Sequence, residues 1–224
     1  MKSKILTFTL IAALCVLTAA CGQRKGKTDN TAVSAADSTN SSITDLTMTA
    51  DYSNLPEDPI FEIYTSEGTI TVQLYADTPR HRDNFVKLAK EKFYDGILFH
   101  RVIKGFMIQG GDPLTKDPAN KSKFGTGGPG YTIPAEIRPN HTHIKGALAT
   151  ARLGDMANPR RESSGSQFYI VHVPDACAQL DGAYTVFGEV IDGIEVVDKI
   201  ANVQTDMRDC PIKEVKIITI TPVL

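Results

Sequence analysis

Between residues 60 and 221 the chain changes direction every few residues. Apolar and polar side chains alternate at 60–64 and 69–75, and further strand-like runs follow at 98–103, 106–109, 131–133, 147–151, 168–171, 185–190 and 215–221, with glycine-bearing turns among them. Such period-two alternation marks strands with one buried face. Only two stretches carry helical spacing. Pro79 follows Thr78 and leads into Phe85, Leu88 and Ala89 before Tyr94-Asp95-Gly96, and a shorter run covers Ile194 to Ala201; proline at a first helical position and glycine beyond the end delimit the first of them. A doubly wound parallel sheet needs a crossover, usually a helix, for each added strand, and two helices are too few. The predicted fold is therefore mainly β, a closed antiparallel eight-stranded barrel capped by the two helices. A barrel of that size is filled by its own side chains, which puts any ligand site on the outer wall.

The remaining length lies at the N-terminus. The 224 residues, 42% hydrophobic and 22% charged, leave room for one sizeable domain with extensions. Residues 1–20 read as a targeting segment: Lys2 and Lys4 precede an apolar run shorter than the roughly 20 residues of a membrane span. Leu17-Thr18-Ala19-Ala20-Cys21-Gly22 resembles a bacterial lipoprotein signal, in which Cys21 is lipidated and becomes the new first residue. A cleaved secretory signal and an uncleaved anchor are the alternatives. Residues 21–57, rich in Ser, Thr, Asn and Ala and nearly free of aromatics, read as a disordered tether, and 58–224 as the folded domain. The expected location is the cell envelope, with the membrane as a partner through the lipid. Loss of Lys2 and Lys4 would take the formal charge from −2 to −4, which offers nothing to nucleic acid. With Cys15 removed and Cys21 acylated, Cys177 and Cys210 remain. Export would permit a disulfide, and two separate buried thiols fit equally well.

Several chemical-looking signals fail for want of context. Gly125-Thr126-Gly127-Gly128-Pro129-Gly130 fits G-x-G-x-x-G, but no helical pattern follows to receive a phosphate. His141 and His143 lack further ligands at a recognisable spacing, so no metal is expected. His81 and His172 stand alone and read as surface or structural residues. Gly165-Ser166-Gln167 lacks the frame of a hydrolase elbow.

The densest cluster is Phe99-His100-Arg101-Val102-Ile103-Lys104-Gly105-Phe106-Met107-Ile108-Gln109-Gly110-Gly111-Asp112. A turn over Lys104-Gly105-Phe106, with Gly105 free to take positive φ, would pair Arg101 with Gln109 and Ile103 with Met107. That places a guanidinium and a carboxamide beside an apolar patch. Taken alone, the same residues also fit an ordinary hairpin with a solvated arginine.

This cluster, followed in order by Gly165-Ser166-Gln167-Phe168-Tyr169-Ile170, Leu180-Asp181-Gly182 and Val186-Phe187-Gly188, resembles the signature of cyclophilins from about residue 60 to the C-terminus. The resemblance implies a peptidyl-prolyl cis/trans isomerase without cofactor acting on proline-containing segments; the N-terminal signal makes exported proteins the expected substrates, and a monomer is expected. It implies catalysis by Arg101 with Gln109, a proline pocket of Phe106, Met107, Tyr169 and Leu180, rim positions at His100 and Tyr184, and backbone pairing of substrate with Ala151 and Arg152. Three residues depart from the pattern. Gln179 replaces the tryptophan of vertebrate members, implying weak cyclosporin binding. Tyr169 replaces phenylalanine, so its hydroxyl needs a partner if buried. Tyr184 replaces a histidine of eukaryotic members. The segments 113–124 and 154–164 are polar loops near the site, free to tune specificity or simply to connect strands.

Overall fold

The computed structural model describes residues 50–223. The signal segment, Cys21 and most of the tether lie outside the described residues. Ten strands and two α-helices form the domain, in the order β1 (Ile60–Thr65), β2 (Gly68–Leu74), α1 (Pro79–Lys90), β3 (Arg101–Ile103), β4 (Met107–Gly110), β5 (Thr132–Ile133), β6 (Ala147–Thr150), β7 (Ser163–Ser164), β8 (Phe168–Val171), β9 (Val186–Asp192), α2 (Ile194–Ala201) and β10 (Ile217–Pro222). Eight strands make one antiparallel sheet in the order β10-β1-β2-β9-β6-β8-β4-β3, and β5 pairs with β7 beside it. Bulges at Tyr64/Thr65, Thr71/Val72 and Leu148/Ala149 bend and twist their strands.

The two edges, β3 and β10, share no ladder. Isolated bonds join them instead: Phe99 N–H to Val215 C=O (2.9 Å), Ile217 N–H to Ile97 C=O (2.8 Å) and Gly96 N–H to Ile217 C=O (2.9 Å), with a single bridge at Leu98 and Lys216. The strand expected over 98–103 therefore begins only at Arg101, because the residues before it are engaged with the C-terminal segment.

Alternation along the strands produces two apolar layers. Ile108 of β4, Leu148 of β6, and Phe168 and Ile170 of β8 point inward to a core shared with Phe85 and Leu88 of α1 and Val197 and Ile200 of α2. Phe85 sits among the rings of Phe61, Tyr94, Phe168 and Phe187 at centroid distances of 5.3 to 5.9 Å. The alternate residues Met107, Ala147, Ala149, Tyr169 and Val171 form a second cluster on the outer face, joined by Phe106 and Leu180. The middle strands are thus apolar on both sides, and the outer layer floors the site. Of the expected tether, the stretch 50–57 has no regular structure, yet Tyr52 and Leu55 pack on the inner core.

Helix α1 starts in an unforeseen way. Thr78 makes no side-chain cap and the first turn holds no acidic residue. The distant, buried Glu136 supplies the charge, accepting from the backbone N–H groups of Arg80 (3.2 Å) and His81 (3.0 Å) and from His81 Nδ1 (2.7 Å). His81, read from the sequence as isolated, accepts at Nε2 from the Ser163 hydroxyl (2.9 Å), whose oxygen accepts in turn from Thr150 (2.9 Å). Burial outweighs the nearby carboxylate and pushes the His81 pKa down.

Candidate active site

The β3–β4 hairpin has the register predicted from its turn. Arg101 faces Gln109 and Ile103 faces Met107, Gly105 takes φ +83°, and Phe106 N–H closes the turn on Ile103 C=O at 3.0 Å. A neighbour hidden in the sequence grips this turn: Gly105 N–H donates to His172 Nδ1 (3.0 Å), while the His172 N–H donates to Phe106 C=O (2.9 Å).

Beside the hairpin lies a cleft of about 400 Å³ lined by all ten predicted residues. Arg101 and Gln109 come from the hairpin face, Phe106 and Met107 from its turn, Tyr169 from β8, Ala151 and Arg152 from the segment after β6, and Leu180 and Tyr184 from the chain before β9. Lys121 and Phe124, from the 113–124 segment, with Gly125, Arg208 and Cys210, complete the cleft. That segment is two short 3₁₀ turns, Pro113–Lys116 and Pro118–Lys123. A wider hollow of about 890 Å³ adjoins the cleft at Gln109, Ala151 and Arg152, and residues 157–160 line its far side.

Arg101 has no carboxylate partner among the described residues. Its Nη1 makes one long bond to Gln109 Oε1 (3.4 Å), and its guanidinium lies 6.0 Å from the Phe106 ring centre. Most of its five donors are thus uncommitted. Gln109 Nε2 donates to Gln167 Oε1 (3.0 Å), and Gln167 Nε2 donates to the carbonyls of Gly125 (3.1 Å) and Gly127 (2.8 Å). The buried Asp112 holds the same loop from the other side, accepting the N–H groups of Gly125 and Gly127. The sequence that mimics a dinucleotide fingerprint is therefore a clamped loop set beside the hairpin.

His100, expected at the rim, is 4% exposed. Among the described residues neither ring nitrogen has a hydrogen-bond partner, and burial pushes its pKa down, so it lines the cleft as a neutral ring. At Ala151 the N–H donates to Gln167 C=O (3.0 Å) and the C=O accepts from Ser164 (2.8 Å), so its donor is committed and only the second lone pair of its carbonyl is left for a ligand. Arg152 has both free among the described residues. The Arg152 side chain is fixed by Ala183 C=O (2.9 Å) and Asp155 (2.6 Å), with its guanidinium 4.3 Å from the Tyr184 ring centre.

The Tyr169 hydroxyl has its partner in His143 Nε2 (2.8 Å), whose Nδ1 meets Asp181 at 2.6 Å. His141 points elsewhere, stacked on Tyr75 at 3.9 Å and paired with Asp77, so the two histidines share no site. Burial would raise the Asp181 pKa, but the bonds from His143 outweigh it and hold the carboxyl low. Among the described residues Cys177 and Cys210 are both free thiols and are not bridged to each other. Cys177 is buried, and desolvation pushes its pKa up to about 11.

Known proteins with this arrangement point one way. The chain matches the family described as cyclophilin type peptidyl-prolyl cis-trans isomerase/CLD over residues 60–222. It is 37% identical over 161 residues to a peptidyl-prolyl cis-trans isomerase of Arabidopsis thaliana, covering 71% of this chain and 91% of the relative. It is 46% identical over 135 residues to peptidyl-prolyl cis-trans isomerase B of Bacillus subtilis, covering 59% and 83%. A crystal structure of a cyclophilin type isomerase of Cryptosporidium parvum, in the presence of the dipeptide Ala-Pro, superposes with a TM-score of 0.64 at 31% identity, covering 74% of this chain and 99% of that one. The signature hairpin, the outer-wall cleft and these matches together place the chain in the cyclophilin type peptidyl-prolyl cis-trans isomerase family.

Proposed function

We propose that the cleft accelerates rotation about X-Pro bonds, with Arg101 as the catalytic residue. Amide resonance sets a barrier of about 18 to 20 kcal/mol, and rotation needs no proton transfer and no covalent intermediate. A catalyst has only to hold the proline and favour the twisted amide, whose nitrogen regains a lone pair. Phe106, Met107, Tyr169 and Leu180 offer apolar walls for the pyrrolidine ring. The free N–H and C=O of Arg152 suit the main chain of the residue before proline, a pairing that tolerates many sequences. Arg101 then directs N–H donors at the twisted amide, oriented by Gln109. An acceleration on the order of 10⁵ corresponds to about 7 kcal/mol of preferential transition-state binding, within reach of donors fixed in advance. The observation that carries this reading is the uncommitted guanidinium beside the apolar notch. The Ala-Pro dipeptide of the Cryptosporidium structure supports a proline-containing ligand.

A protease-coupled assay on an X-Pro peptide tests it. Arg101→Ala is expected to lower kcat/KM by about 100-fold or more, the scale of a lost transition-state donor, and Arg101→Lys to restore little because an ammonium lacks the planar fork. Equal rates for wild type and Arg101→Ala would leave the cleft as a binding groove only.

The cellular setting is part of the proposal. The basic and apolar start followed by Leu17 to Cys21 supports a lipid-anchored envelope protein that assists the folding of exported chains as a monomer. Mass analysis of the purified N-terminus checks this: an acylated Cys21 is expected, and a chain retaining Met1 or starting unmodified would refute the anchor.

A further inference from the structure

Two walls of the proline notch stand on different elements. Tyr169 belongs to β8, and Leu180 ends the 3₁₀ turn Ala178–Leu180. One side chain outside the cleft is bonded toward both. The His143 side chain is fully buried. Its Nε2 lies 2.8 Å from the Tyr169 hydroxyl, its Nδ1 lies 2.6 Å from Asp181 Oδ1, and its backbone N–H donates to the same oxygen at 2.8 Å. Asp181 follows Leu180 directly and ends its turn.

The proton positions follow from chemistry. An ionised carboxylate can only accept, so Nδ1 carries the hydrogen toward Asp181. In the neutral ring Nε2 then has the lone pair, and the Tyr169 hydroxyl donates to it. Tyr169 thus gives its ring to the cleft and its hydroxyl to His143, whose ring lies nearly parallel to it at 9°.

We propose that His143 is a positioning residue, a cross-brace from Asp181 to Tyr169 that sets the width of the notch and hence its preference for a five-membered ring. The proposal rests on reading the cleft as the isomerase site. A phenylalanine at 169 would supply the same apolar wall without the tie, so the brace exists only where tyrosine and histidine occur together. Leaving either partner buried and unbonded is costly, which is why a displaced ring would not relax freely into its old place.

Two variants cut the brace at different ends. The His143→Asn amide can still donate to Asp181 and cannot reach Tyr169, whereas the His143→Gln amide can accept from Tyr169 and loses Asp181. Both are assayed in the full chain, alone and combined with Tyr169→Phe, on an Ala-Pro peptide and on its analogue with six-membered pipecolic acid. Circular dichroism and melting confirm that each variant is folded. His143→Asn is expected to lower kcat/KM for the proline peptide about tenfold, the equivalent of one buried hydrogen bond, while the pipecolic peptide loses less. In the Tyr169→Phe background the same change should have little further effect. An unchanged proline-to-pipecolic ratio in both His143 variants, or an equal loss in both backgrounds, overturns the brace. Dissociation constants of the Ala-Pro and Ala-pipecolic dipeptides, measured by NMR titration, give the same ratio without turnover. They test the brace separately from the isomerase reading, which an inactive wild type would sink.

Discussion

Gln167 joins two parts of the site that no local pattern connects. It accepts from Gln109 and donates to the carbonyls of Gly125 and Gly127, so the amide that orients Arg101 is itself oriented from the glycine loop. Gln167→Ala should lower kcat/KM about tenfold, as expected for a lost buried amide bond, and should also lower the melting temperature, because Gln109 and the Gly125 and Gly127 carbonyls lose their partner. The protease-coupled assay and a thermal melt check both halves. A Cβ on Gly127 would come within 2.1 Å of Asp112 Oδ1, so Gly127→Ala should displace the same loop and raise KM. The residues that face the cleft were legible through the ordered motifs around Arg101, Tyr169 and Leu180. Their supports were not. His143 and His172 read as loop or surface residues because a lone imidazole has no period, and only the folded chain brings Tyr169 and Gly105 to them.

Among the elements, helix α1 depends most on a residue remote in sequence. Glu136 is 9% exposed and accepts two helix N–H groups as well as the His81 ring, combining a charged hydrogen bond with a favourable end of the helix dipole. Glu136→Gln should therefore cost about 2 kcal/mol of stability, read as a lower midpoint in urea, while native-state activity stays close to wild type because Glu136 lines no part of the cleft. Strands with clean alternation, such as Ile60–Thr65 and Gly68–Leu74, were plain in the sequence. The two-residue strand β7 and the short 3₁₀ turns were not, since such short elements contain little more than one period of any pattern, whereas β5 falls within the run read at 131–133. Thr78-Pro79 marked the start of α1 correctly, and the true cap stayed hidden because it comes from another segment.

Across the whole molecule, two buried imidazoles set a pH dependence. Burial lowers the pKa of His81 and of His100 in the folded state. The unfolded chain therefore binds protons first as pH falls, and folding stability is full above the ordinary histidine value of about 6.5 and declines below it. Urea midpoints measured from pH 7.5 to 5 should fall, and His81→Gln should flatten the decline; a midpoint constant over that range would contradict it. Reductant should leave the melting temperature unchanged, since both described cysteines are free. The junction between β3 and β10 has a different consequence. Only scattered bonds at Gly96, Phe99 and Ile217 hold it, whereas every neighbouring pair in the sheet shares a ladder of several residues, bulged in three cases. Mild denaturant should unzip the molecule there first, with the fastest native-state amide exchange at those three positions. Arg101 begins the strand on one side of that gap, so rising urea should silence turnover while most of the β signal persists.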